Sequence, residues 1–329
     1  MKKLLNFVLI VSAAFLLSSC LAGNYMSKYA LIRDVSGVDD IPRCRKKADS
    51  LMPGSTAWYD SLKALDILKD AWTTSHDGKK LHACYVPAAR PQEAQGTAIV
   101  IHGYTDNHMV FLYLVRMYRD EFNYNVLFPD LQCHGYSEGD EIQMGWFDRL
   151  DIKRWIPIAH EFFQDDFMVL HGVSMGGATV MMTSGDPLPE YVKCFVEDCG
   201  YSSVADQFNH NRKQTFWFIP PDVLQSASLV TKKKYGWGFW EASSVKQLEK
   251  STLPMLFIHG DADDFVSIKH LWKNYKAKKH GYKEYWVCPG AVHANSFAKD
   301  PVTYKQKVSG FLNTVREMLA DGTYPEGGN

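Results

Sequence analysis

Residues 168–182 constrain the fold of this chain more than any other stretch. They run Met-Val-Leu-His-Gly-Val-Ser-Met-Gly-Gly-Ala-Thr-Val-Met-Met. An apolar run from Phe167 to Leu170 leads into G-V-S-M-G, a match to G-x-S-x-G, and a helix-compatible apolar segment follows. Strand, Gly-bounded Ser, then helix is the order that a sharp strand-to-helix turn requires. In such a turn Gly172 and Gly176 let neighbouring backbone approach, and Ser174 is pushed out at the strand tip. Ser174 is therefore the first candidate for a reactive residue.

The rest of the chain alternates strand and helix patterns. The turn Asp77-Gly78 precedes a strand at Leu81–Val86, and further strands are expected at Thr97–Ile101, Asn125–Phe128, Phe167–Val173, Val192–Glu197, Met255–His259 and Glu284–Val287. Helical patterns lie between them at 110–119 and 146–163, the second interrupted by Pro157. Alternating strands and helices, with strands apolar on both sides, predict an α/β fold with a mainly parallel sheet covered on both faces. Residues 201–250 break the alternation and are too long for a simple crossover. They carry aromatic clusters around Phe216, Trp217, Trp237, Phe239 and Trp240, and read as an inserted lid.

The two ends differ from this core. Lys2 and Lys3, an apolar stretch from Leu4 to Leu17, and Leu-Ser-Ser-Cys ending at Cys20 follow the order of an export signal. The small residues before Cys20 resemble the lipobox of bacterial lipoproteins, which implies cleavage after residue 19 and lipidation of Cys20. The mature protein would then be membrane-anchored. Leu21–Asn24 would be a tether, and the segment to about residue 70 a helical extension with Trp58, Leu62, Leu65 and Leu68 on one face. Residues 71–329 would be the main domain. Its charge is balanced, with 36 basic and 37 acidic residues, so no strong field favours nucleic acid. Six cysteines remain beside Cys20, without the close spacing of a disulfide framework or zinc site. His76 with His82, or His102 with His108, is too loosely spaced to be a recognisable ligand set, and no phosphate- or dinucleotide-binding glycine motif follows a strand. No metal or other cofactor is expected.

A serine hydroxyl needs a His to take its proton and a carboxylate to orient that His. Two loops after strand ends downstream of Ser174 offer these groups: H-G-D-A-D-D-F-V at 259–266 and P-G-A-V-H-A at 289–294. With I-H-G-Y-T-D at 101–106 and D-L-Q-C-H-G-Y-S-E-G at 130–139, they resemble, in order, the motifs of the α/β-hydrolase-fold serine hydrolases, over about residues 75–320. H-G-Y-T, W-F-D-R-L-D and E-D-C-G-Y further resemble a group of largely uncharacterised bacterial members. The resemblance implies Ser174 as nucleophile, Asp263 as acid and His293 as base. Backbone N–H groups of Tyr104 and Met175 would form the oxyanion hole. Asp198, also at a strand end, is the rival acid. Asp261 and Asp264 read as loop-shaping residues, and His102, His134, His171 and His259 as structural histidines.

The function expected is carboxylic ester hydrolysis through an acyl-enzyme, on a small-molecule substrate; the lid aromatics either meet an apolar group of that substrate or simply pack the lid onto the core, and both readings stand. Amide or peptide hydrolysis and acyl transfer use the same three residues, and fold alone does not choose among them. A non-catalytic ligand-binding lipoprotein is the alternative of another class.

Overall fold

The computed structural model describes residues 21–32, 41–215 and 217–325. The expected signal segment, Cys20 and Phe216 lie outside the described residues.

A helix over 21–31 (α1) is followed by α2 (Ile41–Leu51) and α3 (Ser55–Ala64). The chain then enters an eight-stranded sheet of order β1-β2-β4-β3-β5-β6-β7-β8. The strands are β1 (Lys69–Thr74), β2 (Lys80–Val86), β3 (Thr97–Ile101), β4 (Asn125–Pro129), β5 (Met168–Val173), β6 (Val192–Asp198), β7 (Met255–Gly260) and β8 (Lys283–Cys288). β1–β2 and β2–β4 pair antiparallel, and all other neighbours pair parallel. The intervening helices are α4 (Leu112–Arg116), α5 (Asp148–Phe163), α6 (Met175–Thr183), α7 (Val204–Thr215), α8 (Pro221–Tyr235), α9 (Ser244–Leu248), α10 (Lys269–Ala277), α11 (Ser296–Lys299) and α12 (Pro301–Asp321).

Apolar side chains alternate across the central strands into two cores. Ile99, Ile101 and Leu170 face one layer, and Ala98, Val100 and Val169 the other. This is why those strands read as continuous hydrophobic runs. Helix α6 is buried at every position, so it lacks a polar face.

The N-terminal part departs from expectation in three places. Residues 69–74 are a strand rather than the end of the helical extension. Trp72, Thr73 and Thr74 suit a pleated surface, and the turn at Gly78 (φ 91°) returns the chain so that Trp72 pairs with His82. Of the expected apolar stripe, Trp58 and Leu62 lie on α3, with Leu62 buried, whereas Leu65 and Leu68 lie beyond its end, Leu65 exposed and Leu68 buried. Residues 21–24 are the first turn of α1 rather than a tether. Pro157 stands on the exposed side of a continuous α5, where its missing N–H costs one intrahelical bond. The six described cysteines are all buried, and none of them forms a disulfide.

Candidate active site

Ser174 occupies the turn between β5 and α6 with φ 59° and ψ −115°, a strained conformation for a residue with a side chain. The strain persists because the backbone around it is locked. Ser174 N–H donates to the Asp198 carbonyl at 2.8 Å. A Cβ on Gly172 would fall 2.1 Å from the Gly176 carbonyl oxygen, and one on Gly176 would fall 2.2 Å from that of Ile101. Only glycine permits this crossing, which pins the serine above the sheet at the carboxyl ends of the strands.

Two loops converge on the hydroxyl. His293 Nε2 lies 2.8 Å from Ser174 Oγ, and His293 Nδ1 lies 2.8 Å from Asp263 Oδ2. The buried Asp263 carboxylate can only accept, so the proton sits on Nδ1 and leaves Nε2 free to accept from the serine. Asp263 is itself held by backbone N–H groups of Phe265 (3.1 Å) and Val266 (2.8 Å) on its other oxygen. Asp261 stitches the acid loop to the histidine loop by accepting from Gly290 N–H at 2.6 Å, and Ala262 N–H donates to the Ala291 carbonyl at 3.1 Å. That stitch fixes the Asp–His distance.

The rival carboxylate is placed elsewhere. Asp198 accepts from Tyr304 Oη–H at 3.1 Å and meets Ser296 Oγ at 3.5 Å, and burial pushes its pKa up to about 7. His171 lies between the hydroxyls of Tyr118 and Tyr304, and burial holds it down at about 3. His102 accepts from Leu131 N–H and packs against His134. Burial keeps these two rings neutral, with pKa values near 4 and 3. His259 hydrogen-bonds the Val266 carbonyl, which supports the acid loop from below.

Gly103 lies against the serine: a Cβ placed there would be 3.4 Å from Ser174 Cβ. The segment carrying Tyr104 and the N-terminus of α6 carrying Met175 thus flank the hydroxyl, where backbone N–H groups could meet a developing oxyanion. Two basic side chains from α2 brace this segment: Lys47 holds Asp106 at 2.8 Å and Arg43 donates to the Thr105 carbonyl. One neighbour escaped the sequence reading. The Cys199 thiol sits beside Asp263 and His293, and burial raises its pKa well above the usual thiol value, so it stays protonated and packs as a small apolar group.

Above Ser174 opens a cavity of about 400 Å³, the size of a small-molecule site. Segment 201–250 covers it with α7 and α8, contributing Phe208, Ile219, Val223 and Leu224. Helix α7 is tied to the acid loop, since Gln207 donates to the Phe265 carbonyl at 2.7 Å and Gln214 to the Asp264 carbonyl at 3.1 Å. Of the aromatics singled out in sequence, Phe239 lines the cavity. Trp237 is buried in the core behind it, and the exposed Trp217 and Trp240 do not line it. An aromatic in an amphipathic segment is drawn to whichever surface is nearest, and linear sequence does not say which.

The sequence reading missed the wall supplied by α1. Met26, Tyr29 and Ala30 face the cavity, and Tyr104 Oη–H donates to the Ala30 carbonyl at 2.9 Å. The legible signal was Gly23 and Ser27, small residues four apart, which allow close helix contact.

A second buried polar cluster lies away from the serine. His82 and His108 both hydrogen-bond Asp130, at 2.8 and 2.9 Å, and His82 and Cys84 reach Asp70. The His–His and His–Asp proximities differ from the pairs considered in sequence, because strand pairing brings them together. Asp130 also accepts from backbone N–H groups of His108 and Tyr136, so it acts as a hub joining β2 to two loops.

Residues 148–316, more than half of the chain and including Ser174, Asp263 and His293, match the model of the prolyl oligopeptidase family. The chain is 25% identical over 228 residues to the uncharacterized protein YqkD of Bacillus subtilis, covering 69% of this chain and 74% of that one. It is 22% identical over 241 residues to the uncharacterized protein YfhR of Escherichia coli K12, covering 73% and 78%. Among solved structures, the esterase Pf2001 of Pyrococcus furiosus shares the fold with a TM-score of 0.61 at 22% identity, over 77% of this chain and 93% of that one. The acylaminoacyl peptidase of Pyrococcus horikoshii does so with a TM-score of 0.54 at 16% identity, over 78% and 43%. The chain belongs to the prolyl oligopeptidase family and is a serine hydrolase of the α/β-hydrolase fold.

Proposed function

We propose that the protein hydrolyses carboxylic esters through an acyl-enzyme formed on Ser174. The observation that carries this reading is the continuous relay from Ser174 to His293 to Asp263, 2.8 Å at each step, opening onto an apolar cavity. Ser174 Oγ attacks the acyl carbon while His293 Nε2 takes its proton. Backbone N–H groups of Met175 and Tyr104 receive the oxyanion, and the leaving alcohol departs with the proton from His293. Water, activated by the same imidazole, then releases the acid. Asp263 holds the tautomer and stabilises the imidazolium.

The largely aliphatic and aromatic cavity lining favours an ester with an apolar acyl group. Family membership favours the second reading, cleavage of an amide or peptide bond at the same serine. Fluorophosphonate labelling of the parent and Ser174→Ala, followed by turnover of matched ester and anilide substrates, tests both. A folded parent that resists labelling overturns the reading.

The sequence around Cys20 supports export and an acyl anchor at that residue. Incorporation of an alkynyl fatty acid in the producing cell, lost in Cys20→Ser, is the expected result. Equal incorporation in the two removes the anchor.

A further inference from the structure

Helices α1 and α8 lie side by side and point the same way. Gly23 packs against Ser226 and Ala227 so closely that a Cβ on it would lie 2.7 Å from the Ala227 nitrogen. One turn further along both helices, Ser27 Oγ meets Thr231 Oγ1 at 2.9 Å. Both helices therefore begin at the same end of the pair. At that end stands Leu21, 64% exposed, the residue after Cys20. Four and three residues before α8 begins stand Trp217 and Phe218, 76% and 66% exposed, with their rings edge to face. Thr215 and Ile219, on either side of that pair, line the cavity over Ser174. Phe265, about half exposed, lines the same cavity from the acid loop that Gln214 holds at the end of α7.

Two strongly exposed aromatic side chains, one edge of the apolar cavity and Leu21, the first described residue after the proposed anchor, thus share one end of the α1–α8 pair. Exposed apolar groups gathered in this way mark a surface that meets another phase or partner. Trp and Tyr, with an apolar body and a polar tip, suit the boundary between headgroups and acyl chains. A lipid surface, rather than a protein, is favoured because the chain entering this end is the segment that resembles a lipidation signal.

We propose that this end seats on a phospholipid bilayer, and that the ester reaching Ser174 is drawn from that bilayer, its acyl chain entering past Ile219 and Phe265. The proposal rests on the ester-hydrolysis reading for its substrate, but its docking part stands separately. A single acyl chain gives only marginal membrane binding, so a second apolar contact would hold the site at the surface.

The experiment uses the mature chain from residue 20 with Cys20→Ser, which carries no lipid, and the same chain with Trp217→Ser and Phe218→Ser. Neither side chain lines the cavity. Both proteins are mixed with vesicles of equal parts phosphatidylethanolamine and phosphatidylglycerol, and sedimentation is measured beside hydrolysis of a long-chain ester in the vesicles and of a short soluble ester. The parent is expected to bind vesicles, and the double variant to bind at least tenfold more weakly and to lose vesicle-ester turnover while keeping soluble-ester turnover. A parent that ignores vesicles, or two proteins that bind alike, overturns the proposal. Trp240→Ser, an exposed Trp outside this end, should leave vesicle binding unchanged; an equal loss there also overturns it. Vesicle binding that depends on Trp217 and Phe218, without any ester turnover by the parent, keeps the docking surface and defeats the ester reading instead.

Discussion

Replacing Asp263 by Asn tests the relay at its least ambiguous point. The Asn side chain can keep its oxygen on the backbone N–H groups of Phe265 and Val266, which now meet Asp263 Oδ1 at 3.1 and 2.8 Å. Its amide then faces His293 Nδ1, at the place where Asp263 Oδ2 accepts at 2.8 Å. An amide donor there needs a bare Nδ1, so the proton moves to Nε2 and the ring can no longer accept from Ser174. The structure stays and the tautomer is wrong. In triads of this kind that exchange lowers kcat by about 10⁴, which is about 5.5 kcal/mol at 1.36 kcal/mol per decade. The assay is kcat and KM for a soluble ester, with the fluorophosphonate labelling rate as a second measure. KM should change little, because Asp263 does not line the cavity. Asp198→Asn is the partner measurement, and its expected loss is less than tenfold, since that carboxyl meets Tyr304 and Ser296 rather than His293. A larger loss for Asp198→Asn than for Asp263→Asn would refute the assignment of the acid.

Three further substitutions probe the scaffold and the cavity. Gly172→Ala would place a methyl 2.1 Å from a backbone oxygen, so a loss of a few kcal/mol or more is expected, seen as little folded protein and a collapsed melting transition. Val223→Trp should fill much of the cavity and shift preference toward short acyl chains, with acetyl-ester turnover retained; an unchanged chain-length profile would remove Val223 from the acyl site. Asp148 is buried, accepts from Gly145 N–H at 2.7 Å, and has its pKa raised by burial to about 7. A carboxyl with a raised folded pKa binds more protons folded than unfolded between about pH 4 and 7, so it lowers stability as pH rises across that window. Asp148→Asn keeps the acceptor and abolishes the titration. Its stability relative to the parent should therefore climb by on the order of a few kcal/mol between pH 4 and 7 and then level off, as read from urea midpoints. A difference independent of pH would show that Asp148 ionises normally.

Some of this protein was legible as a string of residues because the physics is local. The Gly172–Ser174–Gly176 turn announces itself, since no other residue fits where a Cβ would strike backbone 2.1 and 2.2 Å away. Strands β3, β4, β5 and β7 were legible because burial on both faces keeps them largely apolar. The order of Ser174, Asp263 and His293 followed from loops after strand ends, and the fold brings those three side chains together. What the chain alone left open depends on contacts between distant segments. Strand β1 reads as the tail of a helix until the turn at Gly78 pairs it with β2. Which of Asp263 and Asp198 meets His293 is fixed by the Asp261–Gly290 bond and by Tyr304, which holds the Asp198 carboxyl. Trp217, Trp237, Phe239 and Trp240 look alike in sequence, yet packing sends them to the surface, the core, the cavity and the surface in turn. Helix α1 becomes a cavity wall only because Gly23 and Ser27 let it lie on α8, about two hundred residues away. Backbone sterics and hydrophobic period are written along the chain, whereas the partner of a side chain is fixed only when the whole core closes around it.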